Sequence, residues 1–117
     1  MSDEARTGYV PDRGDAVWVT SGPDEGIGQR ERRQARVLSY SAYNGKVGMA
    51  LTCPIISEVK GYPFEVRIPP RMDVSGAILS DQVKSLDWRA HKAEFICRLP
   101  EATVSQVLRK TSALLAK

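Results

Sequence analysis

The sequence predicts a mainly β fold: a small, strongly bent sheet or open barrel that is closed by one C-terminal helix. Two observations carry this prediction. Several short runs are rich in β-forming residues and are separated by turn residues, and the last part of the chain has an apolar stripe with helical spacing. A chain of 117 residues has room for one domain, which we assign to residues 1–117.

The predicted strands follow runs of β-branched and aromatic residues. We expect residues 1–11 to form a flexible arm and residues 21–34, which are rich in Gly, to form a long loop. Asn44-Gly45 predicts a tight hairpin turn with positive φ. The segment 82–88 is ambiguous. Strands are expected at residues 16–20, 35–40, 46–53, 64–68, 77–79 and 93–99.

The C-terminal residues 100–116 predict a helix. Pro100 suits the first helical position, and Glu101 is favourable in the first turn. The apolar stripe recurs with helical spacing and should face the sheet. It consists of Val104, Val107, Leu108, Thr111, Leu114 and Leu115.

Composition excludes several classes of protein. The chain is 42% hydrophobic and 26% charged, which is ordinary for a globular domain. No apolar run approaches the roughly 18 residues of a membrane span, and the polar N-terminus predicts no secretion signal, so we expect a cytoplasmic protein. Cys53, Cys97 and His91 cannot supply the four ligands of a zinc site, and we predict neither a metal nor a cofactor. The cysteines are interpreted as small buried apolar groups.

The basic charge is concentrated in residues 30–36, which carry four arginines and one glutamate. Such a run beside a Gly-rich turn favours a polyanionic partner. By charge alone, a solvated loop remains an equal alternative.

Three blocks in order along the chain resemble the MazF/PemK toxins: YVPDRGD followed by Trp18-Val19, KGYPFEV at residues 60–66, and DQVKSLDWRA at residues 81–90. The resemblance runs from about Tyr9 to Leu115. It implies a small SH3-like (PemK-like) barrel, a homodimer, and a ribosome-independent endoribonuclease that cuts single-stranded mRNA at short sequences. It also implies a cognate MazE-like antitoxin that covers the active site.

The resemblance places Arg33 on the family's catalytic arginine and Gln29 on a glutamine of the same loop. The neighbouring Arg30 and Arg32 are expected to bind RNA. The loop itself departs from the family motif, because Gly28, Glu31 and Gln34 stand where the family has Glu, Gly and Pro. One surface arginine among four is the alternative reading of Arg33.

The implied chemistry needs no metal. The 2′-OH attacks the adjacent phosphate, which gives a 2′,3′-cyclic phosphate and a 5′-OH end. Arginine presents several donors to phosphate in a rigid fork, and its pKa above ~12 makes it a poor base. We therefore expect Arg33 to stabilise the charge that develops on the phosphate oxygens.

Residues 53–57 correspond to the family segment whose Thr hydroxyl helps to hold the scissile phosphate. Ile56 occupies the Thr position and has no donor. Ser57 could replace that hydroxyl only if the strand is bulged or ends there, because successive strand residues point to opposite faces. The resemblance therefore implies a nuclease whose activity the missing donor would reduce, with Ser57 as the second catalytic candidate. The alternative is an impaired protein that binds RNA or antitoxin without efficient cleavage.

Further RNA contacts are predicted by the same alignment. Gln82 matches a position at which the family reads a base. A purely structural role as a turn residue is an equal alternative for Gln82. Lys60 could contact phosphate and Tyr62 could stack on a base, or Tyr62 could simply pack beside Pro63. His91 stands where relatives often carry Arg, and we interpret it as a surface residue. A protein-interaction module without a role in RNA binding is the remaining alternative class.

Overall fold

The computed structural model describes residues 8–20 and 31–116. Within these ranges the chain forms seven strands and two helices. In chain order they are β1 (Asp15–Thr20), β2 (Arg32–Val37), α1 (Ser41–Val47), β3 (Ala50–Ile56), β4 (Glu65–Arg67), β5 (Ala77–Leu79), β6 (Lys84–Leu86), β7 (Glu94–Arg98) and α2 (Glu101–Ala113).

All strand pairs are antiparallel, in the spatial order β4-β5-β3-β2-β1-β7. Strand β3 changes partner along its length, since Ala50–Thr52 pair with β6 whereas Ile55 and Ile56 pair with β5. The end strands β4 and β7 do not pair with each other in the described part of the chain. The prediction of a mainly β fold with a C-terminal helix is therefore confirmed, and the sheet itself is open.

Alternation along the strands builds two apolar clusters. One cluster lies under helix α2, where Ala16, Cys53 and Ile78 of the sheet meet Val104 and Val107 of the helix. The other lies on the opposite side of β1 and β2 and consists of Val17, Ala35, Val37, Ala50 and Trp88. Since Ala16 and Val17 are neighbours on β1 and belong to different clusters, the register of β1 is fixed from both faces.

The hairpin predicted at Asn44-Gly45 is wrong, because both residues lie inside helix α1. The positive φ needed at the helix end is supplied by Gly48, at +81°. The Asn44 side chain is fully buried, and its amide nitrogen donates to the carbonyl oxygens of Pro11 and Ser39 at 2.7 and 2.9 Å. Asn44 is thus a packing residue of a helix rather than a turn residue.

The ends of several predicted elements also need correction. Strand β2 begins at Arg32, so Arg33 lies on a strand and not in the predicted loop. Residues 82–88, for which the sequence favours no single element, contain strand β6. Tyr9, Val10 and Pro11 are packed on the protein, so the expected arm does not extend to them. Residues 1–7 lie outside the described ranges.

The predicted C-terminal helix is present and shorter than expected. It begins at Glu101, and Pro100 is its N-cap residue rather than its first helical residue. Val104 and Val107 are buried as the stripe predicts, whereas Leu114 and Leu115 lie beyond the helix and are exposed.

Candidate functional site

A cavity of about 450 Å³ lies where β1, β2, β3 and β6 come together with the turn that precedes β7. This volume falls within the range of about 300–1,000 Å³ found for ligand sites. The cavity combines an apolar floor with polar and cationic side chains. Its lining residues are Val19, Thr20, Arg33, Gln34, Ala35, Thr52, Pro54, Gln82, Val83, Lys84, Leu86 and His91.

Arg33 enters this cavity from strand β2, opposite Val19 of β1. It lies on the same strand face as the buried Ala35 and Val37, so the apolar cluster beneath them fixes the direction in which its side chain leaves the sheet. The guanidinium is 70% exposed and pairs with the equally exposed Glu31 at 3.6 Å. Because an exposed pair of this kind contributes little free energy, Arg33 can exchange this partner for a phosphate.

Strand β6 and the residues before it form the opposite wall. Gln82, Val83 and Lys84 are exposed there. Thr52 is buried, and its hydroxyl donates to the Lys84 carbonyl oxygen at 3.2 Å, which ties this wall to β3. The structure thus brings Arg33 and Gln82 to one cavity, as the sequence alignment requires.

Ile56 and Ser57 do not line this cavity. Alternation along β3 puts Ile56 on the same face as Thr52 and Pro54, one step past the rim, where it pairs with Ala77 of β5. Ser57 follows the strand and is exposed. The strand therefore does end before Ser57, which is the condition under which its hydroxyl could replace the missing one.

Tyr62 and Lys60 lie in a separate region. Tyr62 borders a second cavity of about 320 Å³, together with Val59, Gly61, Glu65, Arg67 and Gln106. The exposed Tyr62 hydroxyl donates to Asp81 Oδ2 at 2.6 Å, and this hydrogen bond raises the pKa of the phenol. The main-chain nitrogen of Lys60 donates to the Glu65 carboxylate, and its side chain is exposed. Since Asp81 precedes Gln82, this region adjoins the first cavity along the chain.

The remaining basic residues are placed differently. The Arg32 guanidinium lies 4.6 Å from the centre of the Trp18 ring and donates to Glu94 at 3.1 Å, outside the cavity that contains Arg33. Gln29 and Arg30 lie outside the described residues. The structure thus separates Arg32 from Arg33, because neighbouring residues of β2 project to opposite faces.

Sequence reasoning missed His91 and Thr52 as lining residues. His91 was interpreted as a surface residue, yet it lines the same cavity as Arg33. No local pattern marks it, because its position depends on a hydrogen bond from the Thr20 main-chain nitrogen to the His91 carbonyl oxygen, at 2.7 Å. A contact between residues so far apart in the chain is invisible to periodicity.

The cysteines and Trp88 agree with a structural role. Cys53 is fully buried, and burial raises the pKa of its thiol to about 11. Burial also raises the pKa of the half-buried Cys97. Trp88 is buried, and its indole nitrogen donates to the Asn44 carbonyl oxygen at 2.9 Å.

Residues 8–20 and 31–116 contain neither a metal-binding cluster nor a membrane-spanning helix. No group of three or more His, Cys, Asp or Glu side chains is arranged to hold a metal ion. None of the helices in that part of the chain has the length and apolar character needed to cross a membrane.

An open antiparallel sheet with a C-terminal helix, and a cavity that presents an arginine beside strand-end polar groups, defines a class of small β proteins with a cavity lined by cationic and polar side chains. Comparison with known families identifies the class more closely. Residues 12–115 match the family described as PemK-like, MazF-like toxin of type II toxin-antitoxin system. The chain belongs to this family, and the resemblance inferred from the sequence is confirmed.

Individual relatives agree with this assignment. The chain is 48% identical over 85 residues to the endoribonuclease toxin MazF of Escherichia coli (strain K12), covering 73% of this chain and 76% of that protein. It is similar to a chain of the MazE–MazF crystal structure (Form-II) from Deinococcus radiodurans, with a TM-score of 0.86 and 46% identity over 92% of this chain and 96% of that one.

Two further structures extend the comparison. MazF (Form-I) from Deinococcus radiodurans has a TM-score of 0.82 and 46% identity, over 92% of this chain and 97% of that chain. An endoribonuclease in complex with its cognate antitoxin, from a mycobacterial species, has a TM-score of 0.70 at 17% identity, over 90% of this chain and 94% of that chain. At that identity the similarity concerns the fold alone.

Proposed function

We propose that this protein is the toxin of a type II toxin–antitoxin system and that it is an endoribonuclease cutting single-stranded mRNA at short sequences. The observation that carries this proposal is the shared cavity of Arg33 and Gln82 in a chain that is 48% identical to an endoribonuclease toxin. An mRNA substrate implies action in the cytoplasm. We further propose that the open sheet corresponds to the SH3-like barrel of the family and that residues 1–117 act as one domain.

The proposed chemistry is an internal displacement at phosphorus without a metal. The 2′-oxygen of one nucleotide attacks the adjacent phosphate, the bond to the 5′-oxygen breaks, and the products are a 2′,3′-cyclic phosphate and a 5′-OH end. Arg33 stabilises the negative charge on the non-bridging oxygens through its fork of N–H donors. Its exposed and weakly paired guanidinium supports this role, because little must be broken before it binds phosphate.

RNA binding is assigned to residues on both sides of the cavity. Gln82 is the proposed base-reading residue, and Lys84 adds a cation on the same wall. Tyr62 and Lys60 would contact the chain further along, beside the second cavity. Gln29, Arg30 and Arg32 remain proposed RNA contacts by alignment, although the ring and carboxylate contacts of Arg32 must be exchanged first.

The test is cleavage of a panel of fluorogenic single-stranded RNAs in EDTA. We expect the wild type to cut a subset of sequences, Arg33→Ala to lose the activity, and Arg109→Ala to retain it. Arg109 is a suitable control because it is exposed on α2, away from the cavity. Equal rates for the wild type and Arg33→Ala on every RNA would refute the proposal.

A second function is favoured by one observation: Ile56 offers no donor near the place where the family has a hydroxyl. The protein could then bind RNA or antitoxin while cutting weakly. Loss of a preorganised donor costs on the order of 10²–10³ in rate in other oxyanion sites, so Ile56→Thr should raise the rate by about one or two orders of magnitude. An unchanged rate would show that Ser57 or another group already fills this role.

The proposed protein partners are a second copy of the chain and a MazE-like antitoxin. The crystal structures of MazE–MazF from Deinococcus radiodurans support this proposal, since this chain is 45% identical to the MazF-like chain of one of them. Sedimentation of the purified protein tests the dimer. Inhibition of RNA cleavage by the product of a neighbouring small acidic open reading frame tests the antitoxin.

A further inference from the structure

The second cavity, of about 320 Å³, lies between strand β4, helix α2 and the loop that precedes β4. Glu65 and Arg67 are two residues apart on β4, so their side chains leave the strand on the same face. Gln106 lines the cavity from α2, and Gly61 and Tyr62 line it from the loop. The volume is near the lower end of the range of about 300–1,000 Å³ found for ligand sites.

Hydrogen bonds hold the walls of this cavity in position. The Lys110 ammonium donates to the main-chain oxygens of Pro63 and Glu65 at 2.7 and 3.2 Å, which fixes α2 against the start of β4. Gln106 lies four residues before Lys110 and therefore on the same face of the helix. The buried Glu65 carboxylate accepts from the main-chain nitrogens of Lys60 and of the residue after it, which fixes the loop.

Two polar side chains of the cavity are unpaired. Within residues 8–20 and 31–116, neither the Arg67 guanidinium nor the Gln106 amide has a hydrogen bond or an ion pair. Arg67 is exposed, and Gln106 is partly buried. Glu65 is the one carboxylate among the described lining residues, and the loop nitrogens already occupy it. Arg67 therefore keeps its N–H donors for a negatively charged ligand.

Tyr62 adds an aromatic surface to the same cavity. The residue is 45% exposed, and donation of its hydroxyl to Asp81 Oδ2 at 2.6 Å holds the ring in one orientation. Exposed aromatic rings are the platforms on which unpaired RNA bases stack, and guanidinium groups bind phosphate through their fork of donors. A cation, a ring and an amide thus match the phosphate, the face and the edge of one nucleotide.

The second cavity adjoins the cavity that contains Arg33. Asp81, which accepts from Tyr62, is followed directly by Gln82 on the wall of that first cavity. A strand that is bound at Arg33 and Gln82 therefore has a continuous path past Asp81 to Tyr62. An acidic peptide could pair with Arg67, but a nucleotide uses the ring and the amide as well, so these observations favour RNA.

We propose that Arg67, Tyr62 and Gln106 form a subsite for one nucleotide that flanks the cleaved step of a single-stranded RNA, an inference that rests on the proposed endoribonuclease function. Arg67 binds the phosphate of this nucleotide, Tyr62 stacks on its base, and Gln106 binds the edge of the base. Phosphate contacts carry no sequence information, whereas contacts to base edges do. Arg67 therefore adds affinity for every sequence, and Gln106 adds a preference for one base.

The first test measures how cleavage depends on the length of the RNA. A short RNA that spans the cleaved step is compared with RNAs extended on its 5′ or its 3′ side. We expect extension on one side to raise kcat/KM of the wild type by about 5–100-fold, and this gain to be lost in Arg67→Ala and Tyr62→Ala. Lys46→Ala should keep the gain, because Lys46 is an exposed cation on α1 that lines neither cavity.

The second test measures binding without cleavage, with the extended RNA carrying 2′-deoxyribose at the cleaved step so that the attacking hydroxyl is absent. The slope of log Kd against log salt concentration should become shallower by about 0.7 in Arg67→Ala, as for one phosphate contact on a single strand. Arg67→Lys should recover the slope because it keeps the cation. Gln106→Leu should keep the slope and lose the preference for one base at the added position.

Three results would overturn the subsite. Arg67→Ala could keep the full gain on both extended RNAs, or Lys46→Ala could lose it equally, which would indicate non-specific attraction by charge. Arg67→Ala could also bind RNA as the wild type does and resist inhibition by the acidic product of the neighbouring open reading frame, which would indicate a peptide site. Cleavage that is lost in Arg33→Ala and unaffected by Arg67→Ala removes the subsite alone, whereas no cleavage by the wild type removes the proposed function and the subsite together.

Discussion

Arg36 and Cys53 are cross-strand neighbours on β2 and β3, and both side chains are fully buried. Arg36 Nη2 donates to the Val104 carbonyl oxygen at 3.4 Å, while Nε and Nη1 find no partner among the described residues. Burial lowers the pKa of Arg36 to about 10, because the apolar surroundings disfavour its charge.

This relationship predicts that Arg36→Met stabilises the protein. A buried charge with incomplete hydrogen bonding is often worse than an apolar side chain of similar length, by about 1–4 kcal/mol. Urea unfolding should therefore show a higher midpoint for Arg36→Met, and Arg109→Met at an exposed position should change it little. A loss of stability in Arg36→Met would show that the guanidinium has partners in solution that offset its burial.

Asn44→Ala is expected to destabilise the protein by about 2–4 kcal/mol. The variant removes two donated bonds, to the carbonyl oxygens of Pro11 and Ser39, and the acceptor of the Ser39 hydroxyl at 2.6 Å. These partners would be left without their bonds, and the bond to Pro11 is buried. The free energy of unfolding in urea measures the effect.

Gly45→Ala is the matched comparison for Asn44→Ala. In helix α1 an alanine is favoured over glycine, and its Cβ would lie at an acceptable 3.4 Å from Val10 Cγ1, so stability should change by less than about 1 kcal/mol. A hairpin turn with positive φ at Gly45 would make the same substitution costly. A large loss in Gly45→Ala would therefore favour the turn over the helix.

The sequence reveals the elements whose stability is local. Strand β1 follows from its β-branched and aromatic residues, and helix α2 follows from the spacing of Val104 and Val107. Helix α1 has only seven residues and depends on the bonds of Asn44 to distant segments, which no local pattern contains. Likewise, the polar start of β2 at Arg32 is a strand because it pairs with Thr20.

The same distinction applies to the site. The alignment with the family anticipates that Arg33 and Gln82 approach each other, since both lie in or beside recognisable blocks. The burial of Arg36, one of the four arginines of the basic run, is not anticipated, because charge alone predicts a surface position. His91 reaches the cavity through the turn that Thr20 holds, so its place follows from tertiary structure.

The Tyr62–Asp81 hydrogen bond is expected to be lost at high pH, when the Tyr62 phenol gives up its proton. The phenol donates only when it is protonated, and the bond to Asp81 raises its pKa above the ordinary value of about 10. The bond is therefore complete below about pH 10 and is lost as the pH rises through the raised value.

Ultraviolet titration can isolate this group among the four tyrosines. The difference between the wild type and Tyr62→Phe should show a midpoint above the ordinary value. Asp81→Asn should lower the Tyr62 midpoint towards the ordinary value. A Tyr62 midpoint at or below the ordinary value would contradict the hydrogen bond.

Gly76→Ala is expected to be among the most damaging single substitutions in the sheet. Gly76 has φ +108°, and a Cβ there would lie 1.9 Å from the Ile56 carbonyl oxygen and 2.9 Å from Ser57 Cα. Both contacts are with main chain, which cannot rotate away as a side chain can. The end of β3 must then separate from the start of β5, and we expect a loss of more than about 3 kcal/mol.

Gly61→Ala separates the backbone strain of a positive φ from the steric clash with main chain, which both contribute to the loss in Gly76→Ala. Gly61 also has a positive φ, +79°, and a Cβ there meets nothing within 4 Å. Its substitution should cost only the backbone strain, about 1–2 kcal/mol. Urea unfolding of both variants, with amide hydrogen exchange at Ile56 and Ala77, measures the difference. Similar losses for the two variants would mean that the close approach of Gly76 to β3 does not exist.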